Sequence, residues 1–222
     1  MILTNKQIEE TYRRGEILIE PFEQRQVEAA TYDLRVGSQG VTTTSKKVVD
    51  IKEHGFIVIS PGDFGVVTAF EELRLNAQHA GRFGLRSKYA PKGLIATTGA
   101  QIDPGYHGRL VVGLTNLSPK PITLAYKDDF LIVEFHRLEE ASTKAYSGPF
   151  QDKLQLGPDD ISFVTETEGM AFSEVLATLR SVSVNVGALA KEVRTMEWAV
   201  GIGIGVLALL VAIVTLLVAL RH

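Results

Sequence analysis

Cysteine is absent from the 222-residue sequence, so no disulfide framework is possible and a reducing compartment is expected. A large excess of charge is absent as well. The net charge is -3 at pH 7, and no basic stripe with interleaved aromatic residues occurs, which argues against nucleic acid as a partner. The N-terminal segment MILTNKQIEETYRRGE lacks the apolar core of a signal peptide. The length suits one medium domain with an appendage.

Charged residues are missing altogether from residues 198–220, WAVGIGIGVLALLVAIVTLLVAL. A helix of this length spans roughly 34 Å, enough for the hydrocarbon core of a bilayer. A buried core helix is the alternative, but the long and uniformly apolar run favours a membrane span. We therefore expect a single-pass C-terminal transmembrane helix in the cytoplasmic membrane, with residues 1–197 on the cytoplasmic side.

The segment before this run shows a heptad pattern. Its apolar residues recur at alternating intervals of three and four, at Phe172, Val175, Leu179, Val182, Val186, Leu189, Val193 and Met196. A lone amphipathic helix packed on a domain would show a wider and less regular stripe. The spacing predicts a parallel coiled-coil stalk over residues 171–197 that continues into the membrane helix, after a linker over residues 159–170.

The first 140 residues show a different pattern. Thr4 and Gln7 resemble a capping box and predict a short helix over about residues 4–15. Short apolar runs then alternate with Pro, Gly, Asn and Asp, which is typical of a mainly β sandwich or barrel. Residues 141–169 are polar and rich in turn formers, and we expect them to form an extended arm.

One acidic residue, Asp103, stands out in the stretch GAQIDPGYHG, residues 99–108. Asp, Pro and Gly are common in reverse turns, so a turn alone would explain it. Rigid turns also display functional side chains, and a catalytic carboxylate is therefore compatible with the turn. Three further segments accompany this one in the sequence: ATYDLRVG (30–37), GLRSKYAPKGL (84–94) and DDFLIVEF (128–135).

In this order the four segments resemble the motifs of the dCTP deaminase and dUTPase superfamily. The flanking segments MILTNKQIEE…ILIEPF and YSGPFQDKLQLGP favour the dCTP deaminase-like branch. The resemblance covers residues 1–158, the expected nucleotide-binding domain. It implies a mainly β head with a dUTPase-like distorted β-barrel or jelly-roll fold. It also implies a homotrimer with active sites at subunit interfaces, which binds a pyrimidine deoxynucleoside triphosphate with Mg²⁺.

The same resemblance assigns roles to individual residues. Asp103 corresponds to the carboxylate that orients the attacking water in dUTPases, so it is the expected catalytic residue. Asp33 corresponds to a carboxylate that acts on the metal indirectly, through the triphosphate or a water. The expected nucleotide-binding residues are Arg86 and Ser87 at the phosphates, Gly99 and Gln101 at the base, Tyr106 beside the deoxyribose, and Phe150 and Gln151 in a C-terminal lid. Taken singly, Asp33 could cap a turn, Arg86 could form a surface ion pair and Tyr106 could belong to the core.

Several positions depart from the family pattern. Gly113 stands where deaminases place the Glu that moves protons at the pyrimidine C4, and Pro91 stands where they place an Arg. Lys88 and Tyr89 replace a small residue and a Leu. Asp129 and Ile132 stand where the dUTPase branch has Arg and Gln.

These departures favour hydrolysis over deamination. We therefore expect a membrane-anchored protein that hydrolyses dUTP, or a related deoxynucleotide, to the monophosphate and pyrophosphate. Two alternatives remain open. One is a dCTP deaminase that produces dUTP with an unusual catalytic set, and the other is a catalytically inactive trimeric nucleotide sensor or membrane scaffold.

Overall fold

The structure, a computed structural model, describes residues 1–166 and 178–194 together with residues 196, 198, 202, 204, 205 and 213. The chain divides into two compact units, Met1–Ser173 and Glu174–His222. The first unit is mainly β, as the sequence predicts.

Within residues 1–166 the chain forms three α-helices, two short 3₁₀-helices and eleven strands. The α-helices are α1 (Asn5–Arg13), α2 (Ile51–His54) and α3 (Pro158–Glu166). The strands are β1 (Ile17–Glu20), β2 (Tyr32–Thr42), β3 (Val49–Asp50), β4 (Phe56–Ile59), β5 (Phe64–Leu75), β6 (His79–Leu85), β7 (Leu94–Ala96), β8 (Gln101–Ile102), β9 (His107–Asn116), β10 (Ile122–Ala125) and β11 (Asp129–Arg137).

Nine of these strands form one antiparallel sheet. Their hydrogen-bonded order is β7-β9-β5-β2-β11-β6-β8, with β1 joined to β5 and β3 joined to β2. Strands β4 and β10 form a separate antiparallel ribbon. The register shifts within the pairs β2–β11, β2–β5 and β5–β9. Such irregularities bend a strand and increase its local twist, so the sheet is curved at these three pairings.

The helix α1 begins as the sequence predicts. The backbone N–H of Thr4 donates to Oε1 of Gln7 over 2.9 Å, which is one half of a capping box. Ile8 of α1 is fully buried in the main core of the first unit. This core also contains the largest buried aromatic residues of the sheet, Tyr32, Phe130 and Phe135.

Residues 158–166 fall where the sequence predicts the end of an extended arm and the start of a linker. They form the helix α3 instead, which packs on the sheet. Val164 is fully buried in a small second core with Val41 of β2 and Val66 of β5. Burial of apolar area therefore holds this turn-rich segment against the head. The predicted domain boundaries themselves stay predictions.

A buried ion pair joins β2 to β5. Arg35 is almost fully buried, and its Nε donates to Oε1 of Glu71 over 2.6 Å. Its backbone N–H donates to the other Glu71 oxygen, and its Nη1 bonds Glu23. The arginine of the segment ATYDLRVG therefore has a structural role, because a buried charge must be paired and hydrogen-bonded.

In the second unit, residues 178–194 are helical. Exposed seam positions on this helix are Leu179, Val182, Val186, Leu189 and Val193. Phe172, Val175 and most of residues 198–220 lie outside the described residues. Among the residues that the structure describes, no helix has the length and apolar character needed to cross a bilayer. The coiled coil and the transmembrane helix therefore remain predictions.

Candidate functional site

Four of the predicted nucleotide-binding residues meet in one cavity. The cavity has a volume of about 200 Å³, and these four residues are Gly99, Gln101, Tyr106 and Phe150. They come from the segment that leads into β8, from the turn before β9, and from residues 145–153, which we call the strap. Apolar side chains complete the lining, among them Phe83, Leu110 and Val111. The result is a mostly apolar cavity with a few polar groups, the usual composition of a small-molecule site.

The turn between β8 and β9 displays Asp103. The N–H of Tyr106 donates to the carbonyl of Asp103 over 3.1 Å, which closes the turn. Gly105 has φ +82°, and a Cβ there would lie 2.8 Å from Cβ of Ala145, so the turn requires glycine. The Asp103 carboxylate accepts a 2.6 Å hydrogen bond from Nε2 of Gln101. The turn thus fixes both the backbone and the carboxylate of the predicted catalytic residue.

Asp103 does not line the 200 Å³ cavity. It lines an adjacent cavity of about 420 Å³. Tyr146 lines both cavities, and its ring centroid lies 5.6 Å from that of Tyr106. Tyr146 thus borders both cavities, and Gln101, which lines the smaller one, bonds the carboxylate directly.

Tyr106 is buried and its hydroxyl donates to the carbonyl of Arg109 over 2.9 Å. Burial raises the pKa of Tyr106 far above its usual value. Its ring is therefore a neutral, fixed wall, which suits the predicted place beside a deoxyribose.

The strap is hydrogen-bonded to the turn and to the start of β9. The N–H of Tyr146 donates to the carbonyl of Pro104 over 2.8 Å, and the N–H of Asp152 donates to the carbonyl of His107 over 2.7 Å. Gln151 donates through Nε2 to the carbonyl of Gly105. Gln151 therefore binds the turn backbone, while Phe150 covers the cavity. Of the two residues predicted for the lid, Phe150 lines the cavity and Gln151 does not.

His107 connects the strap to β5 through two carboxylates. Its Nδ1 lies 2.5 Å from Oδ1 of Asp152, and its Nε2 lies 2.7 Å from Oε1 of Glu72. The bond to Asp152, and after it the bond to Glu72, raises the pKa of His107 above its usual value. Because both nitrogens face acceptors, the doubly protonated ring fits this position.

The predicted phosphate residues lie elsewhere. Arg86 follows β6, and its Nη1 donates to Oδ2 of Asp33, while Oδ2 of Asp129 lies 3.7 Å away. The other carboxylate oxygen of Asp33 is buried without a hydrogen-bond partner among the described residues. Ser87 is exposed in the turn that follows. The predicted cation is therefore already paired with two carboxylates.

The residues of the 200 Å³ cavity and the predicted phosphate residues lie at different positions along β6. Gln101 is paired with Arg82, and Arg86 follows Arg82 by four residues. At about 3.3 Å per residue, roughly 13 Å separate the two positions. Within one chain, the structure therefore does not bring Arg86 and Ser87 to the cavity lined by Gln101.

The described residues contain no group of three or more His, Cys, Asp or Glu side chains placed to hold a metal ion. The role expected for Asp33 toward Mg²⁺ is indirect, and it needs only one carboxylate. Asp33 and Asp129, both beside Arg86, are the carboxylates nearest to the predicted phosphate residues.

Comparison with known proteins decides the family. A model of the dCTP deaminase-like family matches residues 2–137. The chain belongs to this family. The dCTP deaminase of Thermococcus sibiricus is 36% identical over 143 residues, which are 64% of this chain and 90% of that protein. The dUMP-forming dCTP deaminase of Aquifex aeolicus is 26% identical over 171 residues, which are 72% of this chain and 95% of that protein.

A solved structure shares the fold of the head. It is the 2'-deoxycytidine 5'-triphosphate deaminase of Agrobacterium tumefaciens, with a TM-score of 0.51 and 20% sequence identity. The match covers 61% of this chain and 48% of that chain, so the chain spans about half of the length of that protein. The dCTP deaminase-like fold predicted for the head is therefore confirmed. This confirmation does not include the predicted coiled coil and transmembrane helix.

In this dCTP deaminase-like chain, Gly113 is closely surrounded by the side chains of Thr97, Thr98 and Phe64. Its N–H donates to Oγ1 of Thr98 over 2.5 Å. A Cβ at Gly113 would lie 2.7 Å from Oγ1 of Thr97 and 3.2 Å from the ring of Phe64. A side chain at this position, where the resemblance places a proton-carrying Glu, would thus require Thr97 to move.

Sequence reasoning missed two residues of the site. Tyr146 lines both the 200 Å³ cavity and the cavity at Asp103, and Thr98 lines the 200 Å³ cavity and accepts a hydrogen bond from Gly113. Tyr146 is part of the segment YSGPFQ that predicted the lid, so the sequence located the segment but not its aromatic contact with Tyr106. Nothing in the sequence indicated a role for Thr98, because a threonine next to a glycine is common in loops.

Proposed function

We propose that the head binds a pyrimidine deoxynucleoside triphosphate. The observation that carries this proposal is the cavity in which Gly99, Gln101, Tyr106 and Phe150 meet. Its volume of about 200 Å³ fits the pyrimidine ring and the sugar, and leaves the phosphates outside. Membership in the dCTP deaminase-like family supports the same class of ligand.

We also propose that each site takes residues from two copies of the chain. Arg86 lies four residues, or roughly 13 Å, along the chain from Arg82, the strand partner of Gln101. This distance supports the proposal, because it keeps Arg86 and Ser87 away from the cavity of their own chain. In a homotrimer the phosphate residues of one copy would face the cavity of the next. Mg²⁺ bound with the triphosphate would neutralise part of its charge, and Asp33 would orient that ion through a water.

The reaction has two candidates. The names of the relatives favour deamination, since the curated proteins reported above are dCTP deaminases. The residue at position 113 favours hydrolysis, because a glycine has no side chain that can carry a proton. In the hydrolytic reaction Asp103, held by Gln101, would orient a water for release of pyrophosphate. Deamination would need an acid and base from another position.

One assay separates these candidates. Purified full-length protein with Mg²⁺ is given dUTP or dCTP, and ammonia and pyrophosphate are measured in the same reaction. Pyrophosphate without ammonia supports hydrolysis, and ammonia from dCTP supports deamination. Binding of a deoxynucleotide without either product supports the sensor or scaffold alternative. The absence of any binding by calorimetry would contradict the proposal.

For the second unit we propose a three-stranded parallel stalk that ends in a membrane span at residues 198–220, with the head on the cytoplasmic side. The heptad spacing of the apolar residues on the helix over residues 178–194, all of which are exposed in the single chain, supports the stalk, because partner helices would bury such a seam. The mass of the detergent-solubilised protein tests it, and a monomer or dimer would contradict it. Protease access to the head in sealed vesicles tests the orientation.

A further inference from the structure

A largely buried ion pair joins the strap to α3. Nζ of Lys153 donates to Oδ1 of Asp160 over 2.7 Å and lies 2.6 Å from Oδ2 of the same carboxylate. The Lys153 side chain is 17% exposed and that of Asp160 is 9% exposed, so solvent screens this pair much less than a surface pair. The Asp160 carboxylate also accepts the N–H of Gly157 over 2.8 Å, just before α3. Asp160 therefore fixes the start of α3 and holds the strap at the same time.

Lys153 connects this ion pair to the proposed nucleotide cavity. Its ammonium lies 5.0 Å from the ring centroid of Phe150, which lines the cavity of about 200 Å³. Its carbonyl accepts the N–H of Arg109 over 2.8 Å, and its backbone forms a bridge with Gly108. The end of the strap is thus bound to β9 through its backbone and to α3 through its side chain. The position of Phe150 at the cavity therefore depends on Lys153.

The helix α3 depends on its contacts with the rest of the head. Among its nine residues, only Asp160 and Val164 are buried. The ring of Phe163 meets that of Phe64 at an edge, with 5.6 Å between the centroids, but Phe163 is 62% exposed. A nine-residue helix is too short to persist alone in water, so α3 is helical because it is docked on the sheet. The ion pair with the strap is therefore a substantial part of what holds α3 in place.

We propose that Asp160 is a positioning residue for the proposed nucleotide site. Through Lys153 it holds the strap and Phe150 in place at the cavity, so that docking of α3 and binding of the nucleotide favour each other. This inference rests on the proposed function. Because coupling between two sites is reciprocal, the factor by which docked α3 tightens nucleotide binding is also the factor by which the nucleotide stabilises α3.

Calorimetry with full-length protein, Mg²⁺ and the α,β-imido analogues of dUTP and dCTP, which resist release of pyrophosphate, measures one direction of this coupling. We expect Asp160→Asn to weaken binding about five- to tenfold, within the usual range of coupling between sites. The sign is informative, because loss of a negative charge would by itself favour an anionic triphosphate. The matched control is Asp159→Asn, at an exposed neighbouring position of α3. It removes the same charge and should leave the affinity unchanged or slightly higher.

A double-mutant cycle shows whether the two side chains act as one unit. Lys153→Met keeps most of the length of the side chain and removes the ammonium. We expect it to weaken nucleotide binding, and we expect the double variant Lys153→Met with Asp160→Asn to bind no more weakly than Lys153→Met alone, because both changes break the same bond. Losses of affinity that multiply in the double variant would show that the side chains act separately, and would contradict the role of Asp160 through Lys153.

Hydrogen exchange of the α3 amides, compared with those of α1, measures the opposite direction. We expect the bound analogue to slow exchange in α3 about five- to tenfold in the wild type and not in Asp160→Asn. A variant that was merely less stable would keep this nucleotide-dependent slowing. Unchanged affinity in Asp160→Asn, or a bound nucleotide that does not slow exchange in α3 of the wild type, overturns this inference and leaves the proposed function intact. Absence of binding of both analogues to the wild type removes both.

Discussion

The guanidinium of Arg86 donates a hydrogen bond to the carboxylate of Asp33, 53 residues away in the sequence. A phosphate that binds Arg86 must therefore compete with this carboxylate, and with Asp129 at 3.7 Å. Both contacts involve Nη1, so the guanidinium has further N–H donors for a phosphate but its charge is partly neutralised. Phosphate binding at this position is accordingly an exchange of acidic partners.

Removal of one competing charge should strengthen binding. Asp129→Asn keeps the size of the side chain and removes a negative charge beside Arg86. Because the Asp129 side chain is 41% exposed, solvent screens the effect, and we expect a gain in triphosphate affinity of about two- to fivefold. Calorimetry measures this. Glu134→Gln, also on β11 and 43% exposed, is the matched control and should have no effect.

Loss of the cation should weaken binding. Arg86→Ala should cost about 1.5–3 kcal/mol of triphosphate binding, the range for hydrogen bonds to charged groups. Arg13→Ala on α1, whose partner is Glu9 on the same helix, is the control. Equal affinities for the Arg86 variant and the wild type would show that the phosphates bind elsewhere.

Asp103 should be needed for turnover and not for binding. Asp103→Asn keeps the turn and can still bond Gln101, but it cannot act as a base. We expect release of pyrophosphate or ammonia to fall to background while calorimetry still detects the nucleotide. Glu139→Gln, an exposed carboxylate elsewhere, should retain full turnover. Activity in the Asp103 variant would assign the water to another group.

The stability of the contact that His107 forms between the strap and β5 should depend on pH. The pKa of His107 is raised, so its stabilising contribution is fully present below its unfolded value of about 6.5 and is lost as pH rises through the raised pKa. The charged groups that face it are Asp152 on the strap and Glu72 and Arg74 on β5, with Glu16 at the same cavity.

Trypsin cleavage after Lys153 reports on this contact. We expect wild-type protein to be cut more slowly than His107→Gln at low pH, and the difference to vanish at high pH. Comparison of the two proteins at each pH cancels the pH dependence of the protease. A constant ratio of the two rates would exclude the titration of His107 as the cause.

Local patterns were predictable from the sequence, and long-range pairings were not. The capping of α1 depends on Thr4 and Gln7, three residues apart, and the sequence contains both. The bond between Gln101 and Asp103 is equally local. By contrast, the pairing of Arg86 with Asp33 and the packing of Val164 on Val66 depend on how distant segments meet. For this reason the sequence predicts an arm where the structure has α3, and it does not reveal that Arg86 pairs with Asp33.

The separation along β6 between Arg86 and the cavity lined by Gln101 has a genetic consequence. If every site joins the Arg86 of one copy to the Asp103 of the next, the two variants Arg86→Ala and Asp103→Asn damage opposite halves of a site. At a nucleotide concentration too low to occupy sites that lack Arg86, each variant alone would be inactive. When the two are co-expressed, mixed trimers contain one boundary at which both halves are intact, so about a quarter of the sites should recover activity. Two defective alleles would then complement each other in one cell.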